Sequence, residues 1–350
     1  MSTKRVPYTN LKSFIESAMV ALKLPQNHAA TVAEYMASAD LQGSDGHGVI
    51  RLPQYTRRIL AGGVNTSPNI TIESERAATA LINGDNGMGH VVMKFATELA
   101  IRKAKSSGMA WVGSRLSNHA GPASLYSRMA LDHDMVGLYF AVGNANHLPA
   151  WGGLDMLLST NPISVAVPTH KETPIVLDMA TTVAAYGKVK AKAQKGEMMP
   201  EGWMIDFNGQ PLLDPKRSEE GFLLPIGGYK GYGLSLIVGI LAGTLNNAAM
   251  GRAVIDFNHD DSSVTNTGQA IAIIDPAAFG DTQAFKDRVD QLIGELKASK
   301  KMPGVERIWL PGEQSALKCA DYTRNGIPIS EGLETQLNKV SEQLNIARLF

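Results

Sequence analysis

The chain reads as an α+β protein on three observations. Helical periodicity runs through residues 8 to 60, short apolar and β-branched runs dominate from about 70 to 275, and helical periodicity returns at the C-terminus. Phe14, Ala18 and Leu22 make an i, i+4 stripe, with Thr9 or Asn10 as its N-cap. Pro25-Gln26-Asn27-His28 breaks that stripe. Ala29 to Leu41 is a second amphipathic helix, and its end delivers the turn Gly43 to Gly48. Thr71-Ile72-Glu73 and Ala78 to Asn83 predict short strands, and His90 to Ser106 predicts a helix. Met109 to Gly113, Val136 to Val142, Ile163 to Pro168 and Ile271 to Asp275 predict buried strands. Ala191 to Pro200, with Lys192, Lys195 and Glu197, predicts a surface loop. Ala284 to Ser299 and Ser330 to Ile346 predict the last helices.

The bulk composition narrows the function classes. At 350 residues the length fits one large or two ordinary domains, and 44% hydrophobic with 19% charged residues fits a globular protein with a sizeable core. Lys+Arg and Asp+Glu both number 33, so no global field favours nucleic acid or an anionic membrane. Cys319 is alone, which excludes an intrachain disulfide and fits a reducing compartment. The start Met1-Ser2-Thr3-Lys4-Arg5-Val6-Pro7 is polar, unlike a signal peptide. The apolar run Leu234 to Leu245 is shorter than the ~20 residues that cross a bilayer and predicts a buried helix. These features together predict a cytoplasmic protein without membrane or nucleic-acid partners.

Four short motifs carry the chemistry. They are Ser44-Asp45-Gly46-His47-Gly48-Val49-Ile50-Arg51-Leu52-Pro53-Gln54-Tyr55, Ser117-Asn118-His119-Ala120-Gly121, Leu177-Asp178-Met179-Ala180-Thr181-Thr182 and Gly227-Gly228-Tyr229-Lys230-Gly231-Tyr232-Gly233. His47, Arg51 and Tyr55 are spaced by four, so they share a face if the segment is helical. On spacing alone a solvated face with one capping histidine explains them as well. His119 follows a predicted strand among small residues that allow close approach, as would a histidine simply satisfied in a turn. Asp178 ends a predicted strand. Lys230 lies between glycines, where backbone N–H groups and an ammonium suit phosphate. Neither a G-x-G-x-x-G turn between strand and helix nor a Walker lysine pattern is present.

In this order and spacing the motifs resemble the type-2 malate/L-lactate dehydrogenase family, which includes ureidoglycolate and sulfolactate dehydrogenases and Δ1-piperideine-2-carboxylate reductase. The resemblance implies a non-Rossmann NAD(P)-binding sheet domain over residues 71–310. It implies a helical, substrate-side segment over 1–70, rejoined by 311–350. It further implies a homodimer, a small 2-hydroxy or 2-oxo acid as substrate, and NAD as cofactor, with NADP the alternative.

Hydride transfer to a 2-oxo acid needs a proton donor for the carbonyl, a cation for the carboxylate and a pocket for the nicotinamide. The resemblance assigns the acid/base to His119, with His47 and Lys188 also at catalytic positions. Arg51, Tyr55, Thr160 and His147 fall to the substrate. Ala120, Gly121, Asn144, Asp178, Met179, Ala180, Lys230, Gly231, Pro311, Gly312 and Glu313 fall to the cofactor. Imine-reducing relatives have a Ser-His-Asp relay, whereas this chain has Gly46 before His47 and Lys188 in place of the acid. That departure favours C=O over C=N substrates. A metal-dependent hydrolase built from Asp45, His47, His119 and His147 lacks the i, i+4 His-His spacing of a helical metal pair. A binding protein without catalysis is the remaining rival. His28, His90, His133, His170 and His259 have no supporting context and no chemistry is expected of them.

Overall fold

The computed structural model describes residues 3–350, without the side chains of Thr3, Gln194 and Lys195; Met1 and Ser2 of the polar N-terminus lie outside the described residues. The first two helices are Tyr8–Ala21 and Gln26–Leu41. Each starts directly after a proline, Pro7 and Pro25, whose ring fixes φ at a value suited to helix entry. The Pro7 carbonyl already accepts from the amides of Asn10 and Leu11 at 3.0 and 3.1 Å, so the cap expected at Thr9 or Asn10 lies too late in the chain.

Leu11, Ile15, Ala18 and Met19 of the first helix share one core with Val32 and Met36 of the second. Ile327, Ile329, Leu337 and Val340 from the far end of the chain complete it. The strand Thr3–Val6 pairs antiparallel with Ile327–Ser330, and Glu331–Leu344 is the last helix. Burial of each such Leu, Ile or Met is worth roughly 1.5–3 kcal/mol, so the two ends of the chain hold each other in place.

A seven-stranded sheet runs in the order Thr71–Glu75, Thr79–Gly87, Met109–Ser117, Gln269–Ile274, Val136–Ala141, Ile163–Val167, Ile175–Met179. Adjacent strands are antiparallel except Thr79–Gly87 and Met109–Ser117, which are parallel and bridged by the helix Gly89–Ser107. Ile82, Val112, Ile271 and Ile273 are sealed beneath that helix with Val92, Met93 and Ala96. The strand Met109–Ser117 ends at the boundary between sheet and helical layer, and Asn118-His119 follow directly.

Two further expectations are overturned. The loop expected over Ala191 to Pro200 begins only at Gly196, because Tyr186–Lys195 is a helix. Alanine and lysine favour helix, Val189 is buried against Ala184, Met199 and Leu223, and Gly196 closes the helix at φ +67°. The apolar run Leu234 to Leu245 falls mostly in the helix Tyr229–Ala242, but it is not buried all round. Ser235, Val238, Gly239 and Ala242 face the protein, while Ile237 (52% exposed) and Leu245 (57% exposed) face solvent. A helix apolar on every side needs two covering surfaces, and one chain supplies one. Among the described residues no helix is long and apolar enough to cross a membrane.

Candidate active site

The site is built on the segment that follows Leu41. A 3-10 turn, Val49–Arg51, leads into the helix Leu52–Leu60. Buried Asp40 fixes the entry by accepting from the Val49 amide at 2.7 Å. Gly48 is required there, since a Cβ would lie 2.0 Å from Asp40 Oδ1. Burial pushes the Asp40 carboxyl up to about 8; the Val49 hydrogen bond opposes this and the charge of Asp45 adds to it.

Arg51, Tyr55 and Arg58 then fall on successive turns. Arg58 is fully enclosed. Its guanidinium donates to the carbonyls of Asp260, Gly63 (3.1 Å) and Ser263 (2.9 Å) and to Thr265 Oγ1 (3.1 Å), and it lies 5.2 Å from the centre of the Phe257 ring. Thr265 Oγ1 donates to Asn118 Oδ1 at 2.7 Å, and Asn118 Nδ2 donates to the Gly87 carbonyl at 3.0 Å. Helix, strand end and the 257–265 segment are thereby locked together around His119.

His119 is the hub. Its Nδ1 lies 2.6 Å from the Tyr55 hydroxyl, while the Gly121 amide approaches the same nitrogen at 3.4 Å. The His47 ring lies nearly parallel to it, 5.5 Å between centres and 7° between planes, and Phe257 lies at 5.6 Å and 19°. Nε2 of His119 makes no hydrogen bond among the described residues. Arg51 donates from Nε to the Gly46 carbonyl (2.8 Å) and from Nη1 to Gln54 Oε1 (2.9 Å). Gln54 in turn donates to the Phe257 carbonyl at 3.2 Å. Nη2 of Arg51 is left over.

The electrostatics are one-sided. Burial first, and then the charge of Arg51, lower the His47 pKa to about 4 and hold His119 well below the usual imidazole range. The histidines are therefore neutral at neutral pH, and Arg51 is the permanent charge. Burial lowers its pKa as well, and no carboxylate pairs with it among the described residues. A desolvated guanidinium with a free nitrogen and no acid partner is a receptor for an anion.

The residues expected at the cofactor lie along one edge. Ala120 and Gly121 follow His119; Gly121 sits at φ +78°, where other residues are strained, and a Cβ there would crowd His90 Nε2 at 3.1 Å. Asp178 is exposed at the end of the edge strand and accepts from the Ser124 amide at 2.9 Å. Met179 and Ala180 continue that strand end. The Pro311 carbonyl accepts from the Val176 amide at 3.0 Å, and Gly312 at φ +95° packs on the Val176 backbone. Lys230 is exposed at the start of the helix Tyr229–Ala242, and a Cβ on Gly231 would strike the Ile226 carbonyl at 2.0 Å. The Ile226 amide donates to Thr181, which brings the glycine turn beside the same strand end.

Other expected residues lie outside the His119 cluster, several of them held by structural partners. Glu313 is buried and its carboxylate is taken up by Lys297 (3.0 Å), Arg307 (3.3 Å) and the Leu310 amide (3.2 Å), so it braces the 310–313 turn. Asn144 donates to Thr267 Oγ1 at 2.6 Å. The Thr160 carbonyl accepts from the amide and hydroxyl of Thr181, each at 2.9 Å. His147 stacks on Tyr186 at 4.2 Å in a neighbouring pocket, not in the His119 cluster. Lys188 is exposed and its side chain makes no hydrogen bond or ion pair among the described residues.

The family model for malate/L-lactate dehydrogenases matches residues 6–338. The chain belongs to this family. It is 39% identical to a malate dehydrogenase of Pyrococcus horikoshii, over 99% of this chain and 97% of that protein. It is 37% identical to a malate/(S)-sulfolactate dehydrogenase of Methanothermus fervidus over 96% of each. A Δ1-pyrroline-2-carboxylate/Δ1-piperideine-2-carboxylate reductase of Pseudomonas putida is 31% identical over 87% of this chain and 89% of that protein. The solved malate dehydrogenase of P. horikoshii superimposes with a TM-score of 0.90, covering 99% of this chain and 97% of that one. The protein is a nicotinamide-dependent dehydrogenase of 2-hydroxy acids.

The residues of this dehydrogenase suit a dinucleotide. Glycines at 121, 227, 228 and 312 have positive φ and keep the edge free of side chains, and open space lies at Gly227. The helix N-terminus there has no side-chain cap, and Lys230 stands beside it. Sequence reasoning missed several members of the site. His90, of which no chemistry was expected, is fully buried, with its ring 5.9 Å from that of Tyr55 and both nitrogens unpaired. Burial lowers its pKa to about 3. Phe257, Gln54 and Arg58 were also missed. Arg58 alone left a signal, since it continues the Arg51-Tyr55 face by one more turn, whereas His47, expected on that face, lies in the turn before the helix.

Proposed function

We propose that the enzyme interconverts a small 2-hydroxy acid and its 2-oxo acid, with malate and oxaloacetate the first candidates, and that His119 is the acid/base. One observation carries this reading: the desolvated Arg51, with no acid partner among the described residues, acts by its charge on His119, whose Nε2 is open. Arg51 Nη2 receives the substrate carboxylate. In oxidation the neutral His119 takes the hydroxyl proton at Nε2; in reduction the ring first takes up a proton from solvent as the substrate carboxylate offsets the charge of Arg51, and Nε2 then gives that proton to the carbonyl oxygen. For that, Nδ1 must keep its proton and donate it to Tyr55 Oη at 2.6 Å, so that the Gly121 amide at 3.4 Å is a contact and not a hydrogen bond to that nitrogen. His47 and Phe257 flank the imidazole and limit water around it. A bound nicotinamide supplies the hydride to C2, or receives it.

Ala120, Gly121, Asp178, Met179, Ala180, Pro311, Gly312, Lys230 and Gly231 would hold the cofactor, and the largely antiparallel sheet supports a non-Rossmann binding mode. We take NAD as the cofactor, because among the described residues no Arg or Lys cluster marks a 2′-phosphate site; Lys188, Lys190 and Lys192 on the helix Tyr186–Lys195 are the group that would favour NADP. In this reading residues 1–70 and 311–350 form the substrate-side unit and 71–310 the cofactor unit. A second copy of the chain covers the apolar face of Ile237, Ile240 and Leu245, which gives a homodimer in solution. Lack of the serine and acid around His47 supports oxo acids over cyclic imines. The test is a panel of oxaloacetate, sulfopyruvate, pyruvate and Δ1-piperideine-2-carboxylate with NADH and with NADPH. Turnover of the imine above every oxo acid overturns the reading.

A further inference from the structure

A pocket of about 370 Å³ adjoins the catalytic cluster. The two share a wall: Phe257 turns its ring to His119, while its neighbours Asp256 and Asn258 line the pocket. Lys190 enters from the helix Tyr186–Lys195. Its ammonium lies 5.3 Å from the centre of the Tyr186 ring, which itself stacks on His147. Among the described residues Lys190 forms no side-chain hydrogen bond and no ion pair. Lys190 is exposed at the rim; desolvation of its inner part and the charge of Arg51 lower its pKa, while Asp256 and Glu219 raise it, so Arg51 and Lys190 share a field that these acids only partly offset. Lys188, two residues earlier, sits about 200° around the helix and does not enter this pocket.

We propose that Lys190 is the receptor for a second anionic group on the substrate, a carboxylate or sulfonate one or two bonds beyond C2. This rests on the 2-oxo acid reading of the Arg51 site and deepens it, since it makes dianionic oxo acids the preferred class. Arg51 and Lys190 repel each other, no carboxylate is ion-paired to either among the described residues, and an anion held by both removes that repulsion. Asp256 and Glu219 line the same pocket, and Asp256 already accepts from the Asn258 amide at 2.7 Å. Their charge confines the second anion to the Lys190 side and works against longer dianions that would reach past it. Tyr186 beneath the ammonium holds it by a cation–π contact without neutralising it.

The experiment compares kcat/KM for oxaloacetate with that for 2-oxosuccinamate, which has the same skeleton and a neutral amide in place of the second carboxylate. In Lys190→Gln the oxaloacetate-to-amide ratio should fall ~10–100-fold, the loss of one charge-assisted hydrogen bond, and Lys190→Arg should keep most of it. The wild type supplies a second readout, independent of whether the variant folds. Its kcat/KM for oxaloacetate should fall more steeply with ionic strength than that for the amide. An unchanged ratio in Lys190→Gln, or equal salt slopes, overturns the role of Lys190 while leaving the oxo acid reading intact. Failure of the wild type to reduce any 2-oxo acid overturns both.

Discussion

The Tyr55 hydroxyl and Nδ1 of His119 meet at 2.6 Å, across a helix and a strand end that are 64 residues apart in sequence. This contact sets the tilt of the imidazole and leaves Nε2 as its open atom. Tyr55→Phe keeps the ring and removes the partner. We expect kcat to fall about tenfold or more, the value of one lost polar partner, with cofactor affinity little changed. A kcat–pH profile checks it, since the variant's profile should also shift; an unaltered profile would separate Tyr55 from the proton transfer.

Arg51 has one nitrogen to spare. Arg51→Lys keeps the charge and loses the planar fork, so KM for the oxo acid should rise about 10–100-fold while the dissociation constant of NADH holds. Steady-state kinetics with fluorescence titration of NADH separate the two constants. A change in NADH affinity alone would move Arg51 to the cofactor side.

Substrate binding should take up protons. Burial and then the charge of Arg51 hold His119 well below its ordinary pKa. A carboxylate on Arg51 cancels the second cause, so the His119 pKa rises on binding. Calorimetry of oxamate binding between pH 6 and 7, in buffers of different ionisation enthalpy, should report net uptake. Zero uptake would mean that the anion does not sit beside Arg51.

Asp40 makes a separate pH test on stability. Its folded pKa is about 8 against 3.8 for the free group, raised by burial. The unfolded chain therefore loses this proton first, and from about pH 4 to pH 8 the folded state is penalised as pH rises. Asp40→Asn removes that slope and keeps an oxygen for the Val49 amide. The melting temperature of the variant relative to wild type should rise from pH 5 to pH 8.5. A difference independent of pH would show that Asp40 is ionised in the folded state at both.

Lys230→Ala should weaken NADH binding by roughly 1.5–3 kcal/mol, the scale of a hydrogen bond to a charged group. Fluorescence titration checks it, and unchanged affinity with lost turnover would instead make Lys230 a catalytic residue.

Much of this was legible locally. The spacing of Arg51 and Tyr55 required only that their segment be helical, but His47 lies in the turn before it, behind the non-helical Gly48, and reaches His119 from there; periodicity marked the helices and the buried strands. What was hidden depends on long-range closure. Phe257 reaches His119 because Gln269–Ile274 inserts between two strands far earlier in the chain. His90 looked like an isolated residue because its neighbours Tyr35 and Tyr55 come from other helices. Lys190 was not told apart from Lys188, since the helix Tyr186–Lys195 was not expected and only its helical phase sends the two lysines to different sides. The apolar stretch around Ile237 was legible as a helix but not as a half-covered one, because sequence does not show what one chain leaves open.

The acid/base role of His119 is the central claim, and kcat of His119→Gln measured beside its NADH dissociation constant tests it most directly. The account predicts a fall of ~10²–10⁴ in kcat with NADH still bound at near wild-type affinity. Near-normal turnover in that variant would contradict it and pass the proton to His47.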